Sequence, residues 1–216
     1  MRRALSFTAL SFLLAAGPAL QAQQAHMGFS LNLLFPTGDF NSKAYPPYID
    51  STGHLVPTQT ETYDLGLGGT FYLSFPVDRS LAMRLSFSGA ANNGTNTAPG
   101  EATINLRHSE FNLGGELEIF PNGTAYRHRG FYFLAGISAD FEQFDRSFGD
   151  PLYDYTDTTR KSRMGGTLGF GHTFGYDAGA RFTLECIFHK TLTGNNANAG
   201  DPPNTDYARV GLGWVF

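Results

Sequence analysis

The sequence predicts an all-β protein, an eight-stranded antiparallel up-and-down transmembrane β-barrel that is preceded by a cleaved signal peptide. Three observations predict this fold class. Charged residues make up 16% of the 216 residues, against the roughly 25% usual in soluble globular chains. The chain is rich in glycine, with 26 residues, and its 14% of aromatic residues is too high for a disordered chain. Apolar and polar residues alternate with a period of two, and no segment after the N-terminus shows a helical period.

Composition also excludes several classes of function. The net charge of −4 provides no basic surface for nucleic acid. A single cysteine, Cys186, excludes an internal disulfide framework and a cysteine-rich metal site. The six histidines are scattered, without a pair at the helical or hairpin spacing of metal ligands, so we predict no metal and no cofactor.

The N-terminus has the pattern of a secretory signal peptide, residues 1–22. Arg2 and Arg3 form its basic start, residues 4–20 its apolar stretch, and the predicted cleavage follows Ala22. The alternative is a membrane-spanning anchor, which is disfavoured because the apolar stretch is short and contains polar residues and Pro18. Residues 23–216 then form the barrel domain.

Eight segments alternate between an apolar face and a polar or glycine-rich face, and each is a predicted strand. They are residues 27–35, 62–75, 81–88, 111–119, 131–142, 163–174, 181–189 and 209–216. Glycine on the polar face suits the inner wall of a narrow barrel, so we expect the apolar face to contact lipid and the polar face to line the lumen. The alternative is a soluble β-sandwich, in which the apolar faces would point inward.

The connections between these strands alternate in length, as in barrels with short periplasmic turns and long external loops. Residues 76–79, 121–129 and 175–179 form the shorter connections. Residues 36–61, 90–101, 145–160 and 193–205 are long and polar and are predicted loops. A ten-stranded barrel would need another strand pair in the first loop, where Pro46, Pro47 and Pro57 argue against one.

The last predicted strand carries apolar residues at every second position, namely Val210, Leu212, Trp214 and Phe216. This pattern resembles the insertion signal of bacterial outer-membrane barrels. With the eight strands, it makes the chain similar to the small outer-membrane barrels of the OmpA/OmpX type. The resemblance implies export through the periplasm to the bacterial outer membrane. It also implies contact with outer-membrane lipid and lipopolysaccharide, and with the barrel-assembly machinery during biogenesis. It identifies no ligand of the long loops.

Ten ionisable residues on the polar faces are predicted to lie in the lumen. They are Asp64, Arg84, Glu116, Glu118, Asp140, Glu142, Arg163, Arg181, Glu185 and Arg209. Buried charges need partners, and four arginines can each find a carboxylate among six acids. We therefore predict a lumen plugged by paired charges, without a large pore, and a structural or surface-interaction role. A gated ion path or a proton-coupled site remains the alternative.

An enzymatic role is the other alternative. Lipid A 3-O-deacylases carry a His-x-Ser-Asn motif on the penultimate strand, where the histidine activates the serine. This chain has His189 at a similar place, but Thr191 replaces the serine and Leu192 replaces the asparagine. We predict that the chain is not an enzyme, with His189 and Thr191 as catalytic residues only in this alternative. His128, between two arginines, is predicted to lie in a solvated basic turn.

Overall fold

The computed structural model describes residues 25–49, 53–99, 103–150, 153–175, 179–193 and 202–216, so the predicted signal peptide lies outside the described residues. The elements, in chain order, are β1 (His26–Pro36), α1 (Gly38–Asn41), β2 (Ser42–Tyr45), β3 (Tyr48–Ile49), β4 (Leu55–Val56), β5 (Gln59–Tyr63), β6 (Gly66–Pro76), β7 (Leu81–Thr97), β8 (Ile104–Ile119), a 3-10 turn (Ala125–Arg127), β9 (Gly130–Asp150), β10 (Tyr153–Phe174), β11 (Arg181–Thr191) and β12 (Tyr207–Val215). Within these residues, no helix is both long enough and apolar enough to cross a membrane.

Eight of these strands form a closed antiparallel barrel: β1 and β6 to β12. Each pairs with its neighbours along the chain, and β1 closes the ring by pairing with β12 as well as with β6. The predicted fold class, an eight-stranded antiparallel membrane barrel, is confirmed.

The apolar side chains point out of the barrel. In β1, Phe29 and Leu31 are 43% and 60% exposed, whereas Ser30 and Asn32 are 1% and 4% exposed. The same alternation continues around the ring and leaves an apolar outer belt that includes Phe87, Leu113, Ile137, Leu168, Leu184 and Trp214. Backbone groups in such a belt are all paired within the closed sheet, as a bilayer requires. The soluble sandwich is therefore wrong.

Strands β7 to β10 are much longer than the others and rise beyond the apolar belt at the long-loop end. Along the outer face of β8 the change is sharp, from exposed Phe111 to the polar residues Ser109, Arg107 and Asn105. We call this part of the four strands (residues 92–97, 104–110, 142–150 and 153–163) the extended wall. Residues 90–101 and 145–160 were predicted as loops. That prediction is wrong for most of both segments, because they pair as strand ends in β7, β9 and β10.

The first long connection also contains short strands. The hairpin of β2 and β5 joins the sheet where β5 pairs with the extended part of β7, so it lies beside the wall rather than in the ring. Asp64 and Leu65 separate β5 from β6, and both are exposed. This break reverses the phase of the predicted strand 62–75. Tyr63 is consequently buried, and Asp64 lies outside the lumen, contrary to the prediction.

The connection at residues 76–79 is a tight turn, as predicted. The backbone N–H groups of Ser80 and Leu81 donate to Asp78 Oδ1 at 2.6 and 2.8 Å. Asp78 thereby satisfies the backbone at the start of β7, as aspartate commonly does in turns.

Candidate functional site

The lumen is filled by polar and charged side chains. Apart from Asp64, every ionisable residue predicted to face inward is buried inside the barrel, at 1–8% exposure or fully: Arg84, Glu116, Glu118, Asp140, Glu142, Arg163, Arg181, Glu185 and Arg209. Asp64 contacts this region through its backbone: its N–H donates to the Asn93 carbonyl at 2.8 Å, and its carbonyl accepts from Asn92 Nδ2 at 2.9 Å.

Arg84 lies at the centre of the barrel, and its side chain is fully buried. Its guanidinium contacts Glu116 at 3.0 Å, Glu118 at 3.4 Å and Glu185 at 2.5 Å. Arg84 is on β7 and Glu185 is on β11, four strands away in either direction around the ring. This ion pair therefore crosses the lumen from one wall to the opposite one.

Two tyrosines complete this central cluster. The Arg84 guanidinium carbon lies 3.7 Å from the centre of the Tyr72 ring, within the range of a cation–π contact. The Tyr132 hydroxyl donates to Glu185 Oε1 at 2.6 Å. A hydroxyl of Ser74 donates to Glu118. These contacts hold the glutamates around Arg84 in place.

The short-turn end of the lumen is closed by the connection between β8 and β9. His128 has a positive φ of 42°, and the residue is fully buried inside the barrel. One ring nitrogen lies 3.2 Å from Glu118 Oε1 and the other 3.3 Å from Thr173 Oγ1. The predicted solvated turn is therefore wrong for His128, because its ring packs against Phe120 and Tyr132.

Hydroxyl groups and amides occupy the next layer toward the long loops. Arg209 donates to Thr70 Oγ1 at 3.1 Å and to Ser88 Oγ at 3.2 Å. Beside it, Asp140 accepts from Asn112 at 2.8 Å and from Ser138 at 2.7 Å. Charged groups here are paired through a shared network rather than one carboxylate to one arginine.

Arg163 ties the residues before β12 to the inner wall. It lies 3.2 Å from Glu142 and donates to the carbonyls of Pro203 at 2.7 Å and Pro202 at 3.3 Å. Thr205 donates to the other oxygen of Glu142. Residues 202–205 thereby lie across the mouth of the barrel, where the two prolines are buried.

An aromatic cluster covers the lumen beyond this layer. Its buried members come from β1, α1, β5, the extended wall and β12: Leu34, Phe40, Tyr63, Leu106, Phe144 and Tyr207. At its edge, Glu61 accepts from Arg146 at 2.7 Å and from the Tyr45 hydroxyl at 3.0 Å. Burial, followed by the nearby charge of Glu61, raises the pKa of Tyr45 and of Tyr63 well above the usual value for a tyrosine.

The two residues of the enzyme alternative, His189 and Thr191, both lie inside the barrel and have separate partners. His189 Nε2 is 3.3 Å from Asp140 Oδ2, and its ring stacks on Tyr207 at 4.7 Å. Thr191 Oγ1 accepts from the Thr205 N–H at 3.1 Å and lies 3.2 Å from its hydroxyl. Activation of a nucleophile requires a hydrogen bond between the nucleophile and its base. In the described part of the chain, no hydrogen bond joins His189 to Thr191.

Several inward residues lie outside the predicted strands and were therefore not predicted to face inward, including His26, Glu61, His108, Glu110 and Arg146. For His108 and Glu110 the signal was present, because they continue the inward phase of Asn112, Glu116 and Glu118. The predicted strand began only at Phe111, so this continuation was lost.

The comparisons with known proteins concern the fold. No family model matches the chain, and no curated protein matches it in sequence. The outer membrane protein OprG of Pseudomonas aeruginosa aligns with a TM-score of 0.57 at 12% identity, covering 90% of this chain and 96% of that one. Ail, the attachment invasion locus protein of Yersinia pestis, solved in complex with the heparin analogue sucrose octasulfate, aligns with a TM-score of 0.53 at 9% identity, covering 90% of this chain and all of that one.

The chain has the fold of the small eight-stranded outer-membrane barrels. The predicted outer-membrane location agrees with this fold and with the apolar outer belt. The signal peptide at residues 1–22 and the insertion signal remain predictions. For the latter, the structure places Leu212, Trp214 and Phe216 on the outer face, 44–58% exposed, with Val210 half-buried on the same face.

Proposed function

We propose that this chain is an integral outer-membrane barrel with a structural or surface-interaction role, and that paired charges plug its lumen. The observation that carries the proposal is the Arg84–Glu185 ion pair, which joins opposite walls at 2.5 Å. The interior of an eight-stranded barrel is just wide enough for side chains, so one bridge of this kind takes up much of the cross-section.

Further layers on both sides of Arg84 support the plug. Below it, the buried His128 ring and Phe120 occupy the short-turn end. Above it, Arg163 holds residues 202–205 across the mouth, and Phe40 from the first loop packs in the aromatic cluster. An ion crossing the barrel would have to displace several of these layers in turn.

The extended wall supports the surface role. Its outer face is polar, unlike the belt beneath it: Asn93, Thr95, Thr97, Asn105, Arg107, Ser109, Gln143, Asp145, Ser147, Thr158, Arg160 and Ser162. Arg107 and Arg160 lie just beyond the aromatic residues Phe111 and Phe141. Arginine side chains just outside the apolar belt can form charge-assisted hydrogen bonds with the phosphate groups of lipopolysaccharide. We therefore propose lipopolysaccharide as a partner of this surface. The sequence indicates no further ligand of this surface.

Conductance tests the plugged lumen. The purified full-length barrel is reconstituted in planar bilayers beside a general porin as a positive control, and insertion is checked by the shift in gel migration between unboiled and boiled samples. We expect no large stable pore. Steady conductance of porin size from folded protein would overturn the proposal.

We also propose that the chain is not a lipid A hydrolase, because His189 and Thr191 are held by Asp140 and Thr205 inside the barrel. Incubating the barrel with lipid A should leave every acyl chain in place by mass spectrometry. Acyl loss that disappears in both His189→Gln and Thr191→Val would contradict this.

A further inference from the structure

Three buried side chains meet where the extended wall joins the barrel. His108 is fully buried, and Glu110 and Glu142 are 6% and 3% exposed. One potential ligand atom from each lies within 4.8 Å of those of the other two. We propose that His108, Glu110 and Glu142 form a binding site for a divalent transition-metal ion of the zinc class.

The hydrogen bonding of these groups is incomplete. Both ring nitrogens of His108 lack a hydrogen-bond partner, and so do Glu110 Oε2 and Glu142 Oε2. Buried polar atoms nearly always have a partner, so the unpaired ring of His108 beside Glu110 Oε2 points to a missing shared partner. Glu142 Oε2 is in ion-pair contact with Arg163 at 3.2 Å. By contrast, the ring nitrogens of His128, which is also buried, lie 3.2 Å from Glu118 Oε1 and 3.3 Å from Thr173 Oγ1.

The strand geometry fixes the three ligands relative to one another. His108 and Glu110 are two residues apart on the inner face of β8, and Glu142 lies directly opposite Glu110 on β9. Phe40 and Phe144 pack against the His108 ring, at 4.9 and 4.7 Å between ring centres. These rings shield the site and keep the imidazole turned toward the glutamates.

The donor set indicates the class of ion. One imidazole nitrogen with carboxylate oxygens is a ligand set of zinc and of similar divalent ions. His108 Nε2 and Glu110 Oε2 are 4.0 Å apart. Two ligand atoms that each lie about 2 Å from one zinc ion are somewhat closer to each other than this. Small side-chain rotations would therefore bring both atoms to binding distance of the ion. A water molecule would complete the coordination. Arg163, 3.2 Å from Glu142, keeps its two proline carbonyl partners when the glutamate turns to the ion.

Cobalt and zinc titrations of the full-length barrel, refolded in detergent and treated with EDTA, test the site. We expect one equivalent of Co²⁺ to give visible d–d absorption bands, and one equivalent of Zn²⁺ to displace it. His108→Phe keeps an aromatic ring without nitrogen atoms and should lower the affinity at least tenfold. The control is His172→Phe, which removes a histidine from the outer face of β10 and should leave binding unchanged.

Gel migration of unboiled samples verifies that each variant is folded. If His108→Phe does not refold, Glu110→Gln provides the same test with almost no change in shape, and it too should weaken binding at least tenfold. The proposal is wrong if the folded wild type binds neither ion, in which case ordered water bridges these atoms. It is also wrong if the His108 and Glu110 variants bind as tightly as the wild type, because the ion would then lie elsewhere.

Discussion

Replacing Arg84 by methionine, Arg84→Met, tests how the centre of the lumen is stabilised. Methionine preserves most of the volume but removes the positive charge. Glu116, Glu118 and Glu185, now 3.0, 3.4 and 2.5 Å from the guanidinium, would then face one another without it. Removing one partner of a buried ion pair costs about 3–5 kcal/mol, because the remaining charge stays desolvated. We expect the free energy of unfolding of the barrel to fall by about that amount.

Two other arginines provide matched controls. Arg107→Met alters an exposed side chain on the extended wall and should change stability by no more than about 0.5 kcal/mol. Arg209→Met removes donors to Thr70 and Ser88 and should cost about 1–3 kcal/mol, since among the described residues Arg209 makes no direct ion pair. Adding Glu185→Gln to Arg84→Met should recover part of the loss, because it removes one of the uncompensated charges.

Urea unfolding in lipid vesicles measures these differences, with fluorescence of Trp214 as the signal. It is the single tryptophan of the chain and is 44% exposed on the outer face, so its emission reports contact with lipid. A folded Arg84→Met barrel within about 0.5 kcal/mol of the wild type would refute the central role of this ion cluster.

Three further predictions concern the lipid face, the glycines and the first loop. Ile137 lies in the middle of the part of β9 that belongs to the apolar belt, and Ile137→Arg should lower the free energy of unfolding in vesicles by about 2–4 kcal/mol. Leu67 lies near the long-loop end of β6, and Leu67→Arg should lower it clearly less. Equal losses would contradict the position of the belt. Gly136→Ala should lower the midpoint of urea unfolding, because a Cβ there would lie 2.6 Å from the Gly115 carbonyl oxygen. Gly115→Ala should leave the midpoint unchanged, because a Cβ there would meet open space. A larger loss for Gly115→Ala than for Gly136→Ala would refute this packing of the barrel wall. Because the pKa of Tyr63 is raised by burial and by Glu61, the neutral tyrosine stabilises the fold fully below pH of about 10, and this contribution is lost as the pH rises above it. Tyr63→Phe should therefore reduce the alkaline loss of stability, and Tyr48→Phe, at an exposed residue, should not.

The ring of eight strands could be predicted because the two faces of each strand lie in different environments. Lipid outside and a packed polar lumen inside impose the period of two, which is visible in β1 from Met27 to Phe35. The sequence also places Arg84, Glu116 and Glu185 on the inner face. Which arginine meets which acid could not be predicted, because contacts across the lumen depend on the stagger of strands that are distant along the chain.

The long-loop end was predicted poorly for a related reason. Its strands are rich in Asn, Thr and Asp, which favour turns, so residues 90–101 and 145–160 resembled loops. They extend the strands of the wall, and next to them Leu106 and Phe144 on the inner face of the wall pack against Phe40 and Tyr63 from the first connection. A contact between segments so far apart leaves no local pattern. The break at Asp64 is equally invisible, since the alternation continues through it in the sequence.

In this barrel one face of each strand contacts lipid and the other lines the lumen, and site-directed spin labelling in lipid vesicles tests this assignment most directly. Nitroxide labels are placed one at a time at positions 29–33 of β1, in a protein whose free Cys186 has been replaced by alanine. Labels at Phe29, Leu31 and Leu33 should collide often with lipid-soluble oxygen, and labels at Ser30 and Asn32 should be shielded. Oxygen accessibility without a period of two, or with its maxima at Ser30 and Asn32, would contradict a barrel with lipid outside and charges within.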